Sequence, residues 1–300
     1  MRRDGSPDGF RPTPRHVLCA ATPHKVRGTT PTQYLKLPSK LSMWLNNVDG
    51  DCVTAEEAFN QACGGVLIAD QTVKTWAQGH GVLNGADLSQ VLGWMAQKGF
   101  SQDGNLYNVG PAASVNYGDY PTLCNAIAQG PVKLGVAAGQ LQNSVGNGNG
   151  WFATGYRSDN NEDHCTDAPG FGPVGWLLQQ LGGTLPSGQD PNEPALAFFT
   201  WSTVGVMTYK SLMAICGEAW LRTPNTLQVG TGTPTPDTVQ VFPAPTPPNP
   251  NPNPLPTPGY DIIGSCTTSQ VYPAGSVLPF PLYADAPIGG YDLVLLPSRK

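Results

Sequence analysis

The sequence predicts an α+β fold in which a helix-rich stretch comes first and a strand-rich stretch follows. Amphipathic helical repeats gather between residues 54 and 129, apolar strand-like segments gather between 131 and 201, and a proline-rich run then sets off a short tail. The chain has 300 residues, 39% of them hydrophobic, which is enough for one sizeable core. Only 12% are charged, too few for a coiled coil or a charge-driven disordered protein. The 36 glycines and 31 prolines suggest low complexity at first sight, but eleven of the prolines fall between Pro234 and Pro258.

The elements follow in order. Residues 1–40 lack periodicity and carry scattered prolines, so they form an extended arm, partly disordered or draped on the domain. A domain spans 41–229. Within it Thr54 and Glu57 match the S/T-x-x-E capping box, and Ala55, Ala58, Phe59 and Ala62 continue at helical spacing. Leu88, Val91, Leu92 and Met95 repeat behind Asp87 and stop at Gly99; Leu123 and Ile127 follow Asp119 and stop at Gly130. Val132, Leu134 and Val136 alternate as in a strand with one buried face. Asn147 to Gly150 is a turn-rich loop, followed by a strand at 151–156, a helix at 174–181 and an apolar strand at 196–201. Thr208 caps a last helix, marked by Leu212, Ile215, Cys216 and Ala219 and ended by Pro224. Residues 230–258 repeat Thr-Pro and Asn-Pro, the composition of a semi-rigid polyproline spacer. The module at 259–300, with a strand-like piece at 291–296, is marginal on its own and is expected to dock on another protein or surface.

Charge narrows the function. Eight of the sixteen basic residues lie in the first forty positions, so the rest of the chain is acidic and does not suit nucleic acid. Seven cysteines, an odd number without a C-x-x-C pair, support neither a disulfide framework nor a zinc ribbon. No apolar run approaches the eighteen residues of a membrane span, and the segment after Arg3 lacks the apolar core of a secretory signal, so the compartment stays open. No nucleotide loop, G-x-S-x-G elbow or dinucleotide fingerprint is present, and no cofactor is called for.

Two residues stand out chemically. Cys52 sits at the entrance of a helix, where the helix dipole favours the thiolate, the nucleophilic form. Asp49 and Asp51 oppose that effect, and from spacing alone Cys52 reads more readily as a small buried core residue. His164, in Asp163-His164-Cys165, is the better placed of four histidines to act as a base; His16 and His24 lie in the arm and His80 at a helix end. Asp159, Asn161 and Asp163 match the start of an EF-hand loop, but His164 stands where Gly is needed and Gly170 where Glu is needed. That leaves an irregular cation site or a polar loop, and no metal-ligand spacing elsewhere.

Gly50-Asp51-Cys52 at a helix start, Asp163-His164 before Gly170-Phe171-Gly172, and Phe198-Phe199-Thr200-Trp201 resemble, in their order Cys, His, Trp, the papain-like cysteine peptidases. The resemblance covers sparse landmarks over about 41–203. It implies a helical half headed by Cys52 as nucleophile and a β-rich half carrying His164 as base. Asn46 stands where the family has an oxyanion-stabilising Gln; its shorter side chain risks misplacing a donor worth roughly 2.7–4 kcal/mol. Phe199 occupies the position of the family's His-orienting Asn. Thr166-Asp167-Ala168-Pro169 is expected to interrupt the strand after the His, and a helix at 208–222 to replace a glycine-rich strand pair. The implied function is a cysteine hydrolase acting on peptide or amide bonds of a peptide or protein substrate. The alternatives are an inactive papain-like module that binds or displays a ligand, and a transferase using the same thiol.

Overall fold

Caps and apolar spacing build the first half of the domain. The computed structural model describes residues 9–222, 226–229, 260–261 and 296–297. The arm contributes β1 (Phe10–Arg11), α1 (Arg15–Ala20) and β2 (Tyr34–Leu35), ordered pieces that its lack of periodicity does not announce. The helical half then runs α2 (Cys52–Cys63), α3 (Asp70–Gly79), β3 (Ala86–Asp87) and α4 (Leu88–Gln97). Asp87 caps α4 as expected, its carboxylate accepting from the Gln90 amide at 2.8 Å. A hairpin of β4 (Phe100–Gln102) and β5 (Asn105–Asn108) follows, turning on Asp103 and Gly104, both with positive φ, the geometry that Asp-Gly favours between strands. Next come β6 (Ala112–Ser114) and α5 (Tyr120–Gln129), capped by Asp119.

The second half is a sheet. Its further strands are β7 (Val132–Val136), β8 (Phe152–Ala153), β9 (His164–Pro173), β10 (Pro194–Thr200), β11 (Thr203–Thr208) and β12 (Cys216–Arg222). Helices α6 (Ala138–Ser144), α7 (Val174–Leu181) and α8 (Tyr209–Ile215) punctuate them. The strand order is β6-β12-β7-β9-β10-β11-β8, with β2 of the arm on β9 as the eighth strand. Within that sheet all pairings are antiparallel except β11 with β8. One apolar cluster fills the space between the sheet and the helical half, around Phe59, Cys52 and Phe199; a second lies beneath α5 and α8, around Ile127, Leu134 and Phe198. A short strand β13 (Thr226–Val229) adds to the β4–β5 hairpin.

Four expectations need correction. The capping box does not form: Cys52 is already the first helical residue, Thr54 Oγ1 is buried with no hydrogen-bond partner, and Glu57 is drawn into buried ion pairs. Strand β7 is buried along its whole length, because it lies between β12 and β9 and helices cover both faces. The strand after His164 is not interrupted; β9 runs ten residues through Asp167, whose charge is matched by Arg222. The helix over 208–222 is a seven-residue helix followed by strand β12, so Trp201 is followed by strands after all. Apolar residues at 212, 215 and 219 fit either reading, and pairing with β6 and β7 settles it. Helix α3 was not anticipated.

The chain divides into two compact units, 1–242 and 243–300. In the second, β14 (Tyr260–Asp261) pairs antiparallel with β15 (Leu296–Pro297). The proline-rich run at 230–258 and the rest of the C-terminal module lie outside the described residues. No helix among the described residues is long and apolar enough to cross a membrane.

Candidate functional site

The turn that leads into α2 is held from both sides. Trp44 and Leu45 adopt left-handed backbone conformations, with φ of 47° and 67°, which fold residues 43–49 back on themselves. The amide of Asn46 donates to Met43 O at 3.0 Å, and those of Val48 and Asp49 donate to Leu45 O. Trp44 is buried and its indole donates to Ile68 O at 2.9 Å, which pins the turn to the helical half. The chain then enters α2 with Thr54 and Ala55 amides donating to Asp51 O at 2.8 and 2.9 Å. Asn46 and Cys52 therefore flank one tight turn at the N-terminal end of a twelve-residue helix, and both are buried. Lys74 pairs with Asp49 at 2.8 Å and offsets one of the two carboxylates that oppose a thiolate here.

His164 opens β9, in register with Val136 of β7. Its Nε2 lies 2.7 Å from Thr200 Oγ1. Trp201 stacks on the imidazole with ring centroids 4.4 Å apart and planes 16° from parallel. That stacking follows from the turn between β10 and β11, where Trp201 and Ser202 both take positive φ and fold the indole back over the strand start. Phe199, at the position where the family's Asn was sought, faces away: it stacks on Phe59 at 3.9 Å and meets Trp44 edge-on at 5.9 Å. The hydroxyl beside His164 belongs to the next residue, Thr200, which spacing alone does not reveal.

Helix α2 packs on β9, so the element that begins at Cys52 and the strand that begins at His164 are neighbours. Cys165, next to His164, is close enough to feel Cys52: burial pushes its thiol well above the ordinary range, and Cys52 adds to the effect. A buried ionic network braces this contact. Glu57 of α2 pairs with Lys133 of β7 and, at 3.0 Å, with Arg222 of β12, while Arg222 holds both oxygens of Asp167 of β9 at 3.1 Å. Burial alone would raise Glu57, but Arg222 and Lys133 outweigh it and keep the carboxylate below its ordinary range. Burial, with Asp167 adding, holds Glu56 well above its own.

The other candidates have local tasks. His80 stacks on Trp76 and bonds its carbonyl; His24 bonds Asn125. Asp159 and Asp163 accept from the amides of Asn161 and Ala138, so this stretch is a hydrogen-bonded polar loop. Among the described residues no group of three His, Cys, Asp or Glu is placed to hold a metal ion.

The arm passes the end of α2. Gly9 is buried, and a Cβ on it would stand 2.8 Å from Cys52 Sγ and 2.5 Å from Gly50 O. This contact accompanies the complete burial of Cys52.

A helical half packed on a largely antiparallel sheet, in this chain order, is the papain-like fold. A structure reported for the mite allergens Blo t 1 and Der p 1 superposes with a TM-score of 0.51 at 13% identity, over 70% of this chain and 77% of that one. Digestive procathepsin L2 from Tenebrio molitor (TM-score 0.49, 13% identity, 74% and 79% covered) and bromelain from Ananas comosus (0.46, 12%, 64% and 99%) are also similar. The likeness is one of fold. No family model and no curated protein matches the sequence.

Proposed function

We propose that the chain is a papain-like cysteine hydrolase acting on peptide or amide bonds, with Cys52 as nucleophile and His164 as base. The observation that carries this reading is the contact of His164 Nε2 with Thr200 Oγ1 beneath the Trp201 indole. A neutral imidazole that donates its Nε2 proton to Thr200 keeps Nδ1 as the basic nitrogen, the tautomer a general base needs. Thr200 and Trp201 are then positioning residues: one fixes the ring's rotation, the other excludes water from the bond.

The chemistry follows from these groups. His164 Nδ1 takes the Cys52 proton, and the dipole of α2 favours the resulting thiolate. The sulfur adds to the scissile carbonyl carbon. The oxyanion accepts from the Cys52 backbone amide and the Asn46 side-chain amide. Collapse breaks the C–N bond, the amine leaves with the proton from His164, and water, deprotonated by the same nitrogen, hydrolyses the thioester.

The test is the pH profile of Cys52 labelling by iodoacetamide, which is independent of how far burial slows the absolute rate. An activated thiol titrates well below the ~8.5 of an ordinary cysteine, and His164→Ala moves the midpoint back toward that value. A midpoint near 8.5 that ignores His164→Ala leaves instead a non-catalytic module that uses the same fold to bind a ligand.

A further inference from the structure

The turn that presents Thr200 and Trp201 to His164 is braced from the loop before β8. Thr200 and Thr203 face each other across the β10–β11 turn. Thr203 Oγ1 donates to Thr200 O at 3.1 Å and accepts the Trp151 indole N–H at 3.0 Å. Thr200 Oγ1 in turn lies 2.7 Å from His164 Nε2. An indole, a hydroxyl and the Thr200 peptide therefore run in series to the hydroxyl beside the imidazole. A hydroxyl that donates and accepts at once has its rotation fixed, and each bond of such a chain holds the next.

The surroundings of Trp151 are built to hold that indole in place. Trp151 is only 7% exposed and meets Phe198 edge-on at 6.5 Å. Its carbonyl accepts from the Val206 amide at 2.8 Å. Val204 is gripped twice: its amide donates to Asn149 Oδ1 at 2.9 Å, and its carbonyl accepts from the Gly150 amide at 2.8 Å. The indole lies against the backbone of Gly205, where a Cβ would overlap the ring atoms. Strand β11 thus gives up a side chain at a position where glycine weakens a strand, and the ring fills the space. Packing alone needs only the ring, and a phenyl group would supply it; the N–H aimed at Thr203 is what distinguishes the indole. We infer that Trp151 is a positioning residue for His164: through Thr203 it fixes the Thr200 peptide, and with it the hydroxyl that sets the tautomer and rotation of the imidazole. The inference rests on the hydrolase reading for His164 acting as a base, but not for the coupling of Trp151 to the ring.

The experiment follows the His164 ring in the full chain by imidazole nitrogen NMR, its signals assigned by their loss in His164→Ala. Trp151→Phe keeps an aromatic ring and removes the N–H, and Thr203→Val keeps the shape and removes the hydroxyl. In each variant the ratio of the two imidazole tautomers changes. The titration midpoint falls by about half a pH unit or more, because a loosened Thr200 hydroxyl accepts less well from the charged ring. Thr203→Ser retains the hydroxyl and gives the wild-type ratio and midpoint. A tryptophan that only fills space would change Tm in Trp151→Phe and leave both NMR readouts in place. Thr203→Val carries the test if Trp151→Phe fails to fold. Either variant, folded and with the wild-type ratio and midpoint, overturns the inference. If the variants shift the imidazole while wild-type Cys52 labels with iodoacetamide as an ordinary thiol that ignores His164→Ala, the hydrolase reading falls and the brace stands.

Discussion

At position 199 the phenyl ring serves the core between the halves, and the hydroxyl that meets His164 comes from Thr200, one residue on. A hydroxyl is a smaller and more mobile partner than an amide, so packing must hold it: Thr200 is fully buried, and its carbonyl accepts from Thr203 Oγ1 at 3.1 Å. Thr200→Val keeps the shape and removes the bond. On the proposed hydrolase reading it is expected to lower kcat about 5- to 30-fold, the effect of ~1–2 kcal/mol, and to shift the acid limb of the pH–rate profile, while Thr200→Ser restores both. A merely structural residue would change stability and leave the pH profile in place. The order Cys, His, Trp was legible in the sequence, as was Asn46 near the helix start. The partner of the His was not, because the Trp landmark counts back two residues and the sheet uses the nearer one.

Helix α2 shows how an element is held when its own caps are not the main support. Its position against β7, β9 and β12 depends on Glu57, Lys133, Arg222 and Asp167, all buried. Such pairs contribute little net stability relative to an apolar core, yet removing one partner strands the others. Glu57→Gln is therefore expected to cost about 3–5 kcal/mol in urea denaturation. Glu56→Gln is expected to cost under about 1 kcal/mol, since burial pushes the Glu56 carboxyl toward its neutral form, which the amide matches. Equal losses in the two variants would refute this assignment of charges. The helix itself was visible from Ala55, Phe59 and Ala62, but Thr54 and Glu57 suggested a later start. A capping box is read from neighbours in sequence, whereas the partners of Glu57 come from two strands 76 and 165 residues further along the chain. The β4–β5 hairpin had a signal in Asp103-Gly104, and the strand β12 had none, because its pattern also suits a helix.

At the scale of the domain, the arm and the sheet converge near Glu162. Burial and the neighbouring Glu218 raise its carboxyl to about 7, while its side chain lies against the backbone of Gly135 and Gly217. Because this folded value stands above the ~4.3 of an unfolded Glu, the folded state holds the proton more tightly. The contribution is complete below about pH 4 and is lost as pH rises through 7; screening of a half-buried group limits it to roughly 1–2 kcal/mol. Glu162→Gln should flatten the fall in Tm between pH 5 and 8, and an unchanged slope would exclude Glu162 as its source. By itself the sequence determined the α+β order, the helices with local caps at Asp87 and Asp119, the helix-end Cys52 and the candidate base His164, since periodicity, caps and turns act over a few residues. Only the tertiary structure decided that Thr200 meets His164, that ions from three strands hold α2, and that Gly9 lies on Cys52. Each of these joins residues separated by tens to more than a hundred positions, and such contacts arise only when strands pair and the arm, the helices and the sheet pack together.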